Sequence, residues 1–193
     1  MTSGRRSTTA FISLAFCAVL VVAFAATARA NPVPAHVHGV VQLDIVVDGP
    51  TVLLEMSAPL EAIVGFERAP RTDAESKALD DALAQLRAAD QMFRIDPGAN
   101  CKLGPVSLHS VVLGLGRNEA PGRSSAPSPA EGHADLDGSF AFNCINAGAA
   151  KFVEVGLFAA FRNVRQIDAQ IAAPQGQFRR NLKRPASRIA WSQ

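Results

Sequence analysis

Between Val40 and Ala58 hydrophobic residues twice settle into strict alternation. Val41, Leu43, Ile45 and Val47 share one face, and Gln42 and Asp44 share the other. After Asp48-Gly49-Pro50 the return segment puts Val52, Leu54 and Met56 on one side and Leu53 and Glu55 on the opposite side. A period of two marks a strand with one buried face, and Asp-Gly between two such runs is a hairpin signal. A chain that begins its folded part this way must build a sheet and cover one side of it.

A helix is the expected cover. Thr72-Asp73-Ala74-Glu75 forms a capping box, in which the hydroxyl and the carboxylate satisfy free amides at a helix start. Leu79, Ala82, Leu83, Leu86 and Phe93 then recur at helical spacing over about four turns. Asp96-Pro97-Gly98 is the expected stop. Pro59 and Pro70 bracket a shorter amphipathic stretch at 60–66. Strands are expected at 105–113, 136–144, 152–161, 164–172 and 177–183, with Pro174-Gln175-Gly176 turning the chain between the last two. The reading is an α+β fold: an antiparallel sheet of about seven strands with one main amphipathic helix packed on it. A two-sheet sandwich is the alternative. The segment 114–134 is rich in Gly, Pro and Ser and too polar to order itself, so it is expected to be a mobile surface loop.

The first thirty residues read as an export signal. Arg5 and Arg6 precede an apolar run at 10–25, and Ala28-Arg29-Ala30 offers the small side chains that signal peptidase accepts. An uncleaved anchor is the competing reading, but Asn31-Pro32-Val33-Pro34 breaks any helix and favours cleavage. The expected product is a periplasmic chain of residues 31–193, one domain with no membrane anchor. Of the 19 Lys and Arg, three (Arg5, Arg6 and Arg29) belong to the signal, leaving 16 against 17 acids. That balance gives no basic surplus for nucleic acid.

Cys101 and Cys144 remain after export. An isolated pair in an oxidising compartment is expected to form a disulfide. A redox pair or a thiolate metal site is the alternative, without the Cys-x-x-Cys spacing that would favour it.

Candidate chemistry sits in two short motifs. His36-Val37-His38 projects both imidazoles to one side if the chain is extended, a spacing that chelates an ion. His133-Ala134-Asp135-Leu136-Asp137 lies where the loop enters a strand whose inner face is Phe140, Phe142 and Cys144, so Asp135 and Asp137 point outward. Mixed imidazole and carboxylate donors suit zinc, with copper or nickel also compatible. The competing view is two solvated histidines near a terminus and a polar loop rim. His109, amid Leu108 and Val111, reads as a core or edge residue. Glu61 and Glu67 lie six apart, a pairing too common to argue acid–base work. With no phosphate loop, dinucleotide fingerprint or His-Glu-x-x-His helix, the chain is not read as an enzyme. Five basic residues after Asp168 (Arg179, Arg180, Lys183, Arg184 and Arg188) read as guards of an edge strand, or as a cationic face for an acidic partner or lipid.

Several of these segments together resemble one family. AHVHGVVQLDIVVDG, GFERAP, HADLDGSFAFNC and IDAQIAAPQGQ are similar to the ZrgA-like periplasmic proteins associated with zinc uptake. The resemblance spans nearly all of residues 35–191. It implies zinc binding in support of an ABC-type metal importer. Two departures stand out: a single histidine, His133, in a loop that is often crowded with His and Asp, and Arg68 where relatives often carry His. What remains is a small structured site, with His36, His38, His133 and Asp135 as its expected metal ligands.

Overall fold

The opening alternation becomes β1 (Val40–Asp48) and β2 (Thr51–Pro59), paired antiparallel about Gly49, whose positive φ of 53° makes the turn. The protein is described by a computed structural model over residues 37–116 and 134–191. The chain divides into two units, Met1–Pro34 and Ala35–Gln193. The export signal, His36, His133 and most of the 114–134 loop lie outside the described residues.

Two sheets carry the second unit. The larger joins β1 and β2 to β4 (Cys101–His109), β5 (Asp135–Cys144), β7 (Gln166–Ala173) and β8 (Gly176–Lys183) in the order β4-β5-β2-β1-β7-β8. The smaller is β3 (Phe93–Ile95), β6 (Phe152–Val155) and β9 (Arg188–Ala190), in the order β3-β6-β9. The two-sheet alternative therefore holds, in an α+β setting. Two expectations need correction. The large sheet is mixed, because β1 pairs parallel with β7. The described residues also hold nine strands rather than about seven, since strands of three or four residues are too short to show an alternation.

The inner face is the predicted one. Val41, Leu43, Ile45, Val52, Leu54, Phe140 and Phe142 are buried in one core cluster. Across the core, the ring of Phe93 on the small sheet meets that of Phe140 on the large one, centroids 4.9 Å apart and tilted by 52°. Trp191 is fully buried and donates its indole N–H to the Ala150 carbonyl at 2.8 Å, which pins the C-terminal end of the described chain. Cys101 and Cys144 stand directly opposite each other on β4 and β5 and form the expected disulfide.

Among the described residues one long and three short α-helices complete the unit. After α1 (Leu60–Val64), α2 (Asp73–Arg87) sends Leu79, Ala82, Leu83 and Leu86 into the core. Phe93 does not extend that stripe. The helix ends at Ala88, a single turn α3 (Ala89–Met92) follows, and Phe93 opens β3. Asp96-Pro97-Gly98 thus ends a strand, with Asp96 Oδ1 accepting from the Gly98 amide. The apolar run 152–161 is not one strand either. It breaks at Gly156 into β6 and α4 (Leu157–Ala160), and the alternation of β6 lasts only four residues, too few to mark where the strand ends.

The capping box forms: the Glu75 amide donates to Thr72 Oγ1 at 3.1 Å. Glu75 also accepts from the Arg71 amide at 2.6 Å, and from the Arg68 guanidinium through both carboxylate oxygens at 2.7 and 2.9 Å. The bond from Arg68, then that from Arg71, lowers the Glu75 pKa to about 2. A carboxyl depressed in the folded state stabilises it above the ordinary pKa, and that contribution disappears as pH falls toward 2. Arg68→Ala should therefore weaken the acid dependence of helix content below about pH 4.5, measured by circular dichroism, with the Arg71 amide keeping part of it.

Three of the five C-terminal basic residues are engaged inside the fold. Arg180 donates to the Ala190 carbonyl at 2.8 Å, and Arg188 pairs with Glu154 at 2.6 Å. Arg184 donates to the carbonyls of Phe158, Phe161, Arg162 and Val164. Arg179 and Lys183 stay exposed on β8, an edge strand, as expected of edge protection.

Candidate metal centre

His38 sits in a tight turn rather than on an extended strand. The Val40 amide donates to the Val37 carbonyl at 2.9 Å, and Gly39 takes a φ of +73° that strongly favours glycine. The extended chain on which the His36-Val37-His38 reading rested is not present at His38, which lies in this turn. The turn is fixed to the start of β7: the Gly39 carbonyl accepts from the Arg165 amide at 2.8 Å and the Gln166 amide at 3.1 Å. A Cβ at position 39 would lie 2.9 Å from both the Asn163 carbonyl oxygen and Arg165 Nε. Gly39→Val combines backbone strain of about 1–3 kcal/mol with that collision, so a thermal melt should show a clear loss of stability.

The same neighbourhood positions two carboxylates. Pro59 ends β2 and α1 begins at once, bringing Glu61 into its first turn. Asn163 Nδ2 donates to the Glu61 carbonyl at 3.1 Å, tying α1 to the segment that holds Gly39. Gly65, with φ +91°, closes α1 by donating to that same carbonyl at 2.9 Å and lets the chain fold back through Glu67. The Leu60 amide donates to the Ala134 carbonyl at 2.7 Å, which places the entry of β5 alongside.

The result is a histidine between two acids. His38 Nδ1 lies 3.1 Å from Glu67 Oε1 and 3.5 Å from Glu61 Oε2. The imidazole is 59% exposed and the two carboxylates 26% and 33%, so the group is open on one side. Glu61 Oε2 is buried and accepts no hydrogen bond. An orphaned carboxylate oxygen is costly to bury, and a cation is what would satisfy it. Zinc bonds of about 2.0–2.1 Å in a tetrahedron set donors roughly 3.3 Å apart, and the two N–O distances straddle that value. The donors are of the types that zinc takes. Among the described residues, however, no group of three or more His, Cys, Asp and Glu is already gathered to hold a metal.

Asp135 is the other described member of the expected site. It lines a neighbouring hollow with Glu67, Asp137 and His109. His109 is an edge residue, half-exposed, with Nδ1 3.7 Å from Asp137 Oδ2. Glu61 and Glu67 are the contacts that reading the sequence missed. Their only signal was that Glu67 lies within the GFERAP segment and Glu61 just before it, and nothing in their spacing points to His38.

The model of one family, described as the ZrgA family zinc uptake protein, matches residues 35–191. The chain belongs to the ZrgA family of zinc uptake proteins. The match covers β1 to β9 and with them every described donor of the candidate centre. Membership gives the ZrgA chain a role in zinc uptake. No curated protein matches it.

Proposed function

We propose that this protein is an exported, periplasmic zinc-binding accessory of metal uptake. It would hold zinc with His38, Glu61 and Glu67, joined by His36 from the adjoining segment. Asp135, the first residue of β5, and His133 are the further candidate ligands. The single observation that carries this reading is the buried, hydrogen-bond-free Glu61 Oε2 beside the His38 ring. Family membership makes zinc the leading cation, and the same donors are compatible with copper or nickel.

An open site of one fixed imidazole and two carboxylates suits a protein that passes its ion on. The partner class that fits is a component of an ABC-type metal importer. No helix among the described residues is long and apolar enough to cross a membrane.

Calorimetric titration of the exported chain with zinc at neutral pH tests the proposal. Binding at micromolar concentration is expected. Absence of binding would leave the alternative, a docking module of the cell envelope that works without metal.

A further inference from the structure

Glu67 reaches His38 from a stretch that regular structure does not fix. Between Gly65 and the cap of α2 at Thr72 the chain is in neither helix nor strand, so no backbone ladder sets where the Glu67 carboxylate points. The side chain next to it does. Phe66 is half-buried, and the Arg68 guanidinium stacks over its ring, 5.3 Å from the centroid. The same guanidinium donates to the Ala69 carbonyl at 3.0 Å and to both carboxylate oxygens of Glu75 at 2.7 and 2.9 Å.

Glu75 is a firm post for that bond. It stands in the first turn of α2, whose Leu79, Ala82, Leu83 and Leu86 are buried in the core. Its carboxylate accepts from the Arg71 amide at 2.6 Å, and its own amide donates to Thr72 Oγ1 at 3.1 Å. An exposed ion pair ordinarily contributes little, but here both side chains are partly covered and the fork is bidentate, the geometry that fixes direction as well as charge. Adjacent side chains also go to different partners. Arg68 pairs with Glu75 and Glu67 lies 3.1 Å from His38, so the cation beside Glu67 in sequence is taken up elsewhere.

We propose that Arg68 and Glu75 form a clamp that positions Glu67 against His38. Both are positioning residues, acting on the site through Glu67. The geometry of the clamp needs only the His38–Glu67 contact, and its consequence for affinity rests on the zinc-binding reading above. A carboxylate already held in place loses less freedom when an ion arrives, so the clamp strengthens binding without contributing a donor.

Two measurements on the protein made without residues 1–30 test this. In the metal-free protein, proton NMR should show a nuclear Overhauser contact between the His38 ring and the Glu67 side chain that is lost in Arg68→Ala. Arg68→Lys, which keeps the charge without the fork, should not restore it. Calorimetric zinc titration should give an affinity about tenfold lower for Arg68→Ala, the usual cost of losing an outer-shell partner. Adding Arg68→Ala to Glu67→Gln should cost nothing further, because the clamp acts only through Glu67. Arg94→Ala breaks a comparable ion pair, with Glu154 at 2.7 Å on the small sheet, and should change neither readout. A His38–Glu67 contact that persists in Arg68→Ala, or a loss of affinity as large in the Glu67→Gln background as in the unaltered protein, would overturn the clamp. An unaltered protein that binds no zinc, while its His38–Glu67 contact still depends on Arg68, would remove the zinc reading and leave the clamp standing.

Discussion

Replacing Cys101 and Cys144 together by alanine is expected to lower stability by about 4 kcal/mol in the chain-entropy account of disulfides. The two cysteines are separated by 43 positions. The loop they close contains all of the 114–134 segment, which is poor in the apolar residues that would restrict it when unfolded. Cys101 and Cys144 already face each other in the β4–β5 register, so the link mainly constrains the unfolded chain. For a domain of this size the loss corresponds to a melting temperature lower by roughly 8–16 °C. Thiol labelling of the denatured, unreduced protein made without residues 1–30 should find no free sulfhydryl. A shift of under about 1 kcal/mol on replacement would mean that the β4–β5 pairing holds the loop ends together without help.

Converting both acids beside His38 to amides, Glu61→Gln/Glu67→Gln, is expected to weaken zinc binding by more than the roughly 10–100-fold that loss of an outer-shell partner costs. The amides keep the shape and remove the charge, so the fold should melt as before. Acid should act in the same direction. Zinc is held by neutral imidazole, and imidazoles in general take up protons near pH ~6.5, so affinity should fall below that pH. The measurement is competition with a chelator across pH 5.5–7.5. Equal affinity for the amide variant and the unaltered protein would remove the two carboxylates from the site.

What could be read from the residues alone follows from the range of the interaction involved. The hairpin of β1 and β2, the cap at Thr72 and the inner face of β5 rest on neighbours a few positions apart, and all of them form. The cysteine pair needed only a count and a compartment. The parallel pairing of β1 with β7 could not be read, because it depends on the path of more than a hundred intervening residues. Phe93 was misplaced for a different reason: Ala88 ends the helix, yet alanine carries no stop signal.

The candidate centre shows the same divide. His38 was legible as a donor from its two-residue spacing to His36. Its partners were not, because Glu61 and Glu67 reach it only after Gly39 turns the chain, Asn163 anchors α1 and Gly65 folds the segment back. Asp135 lies with Glu67 in the adjoining hollow. A site assembled from a turn, a short helix and a strand end leaves no pattern along the sequence.

The central claim is that His38 anchors the zinc ion. Its most direct test is the zinc dissociation constant of His38→Ala beside that of His109→Ala, each measured by chelator competition at neutral pH. The account predicts a loss of more than about a hundredfold for His38→Ala, with affinity retained in His109→Ala. Equal effects of the two changes, or an affinity unmoved by His38→Ala, would contradict it.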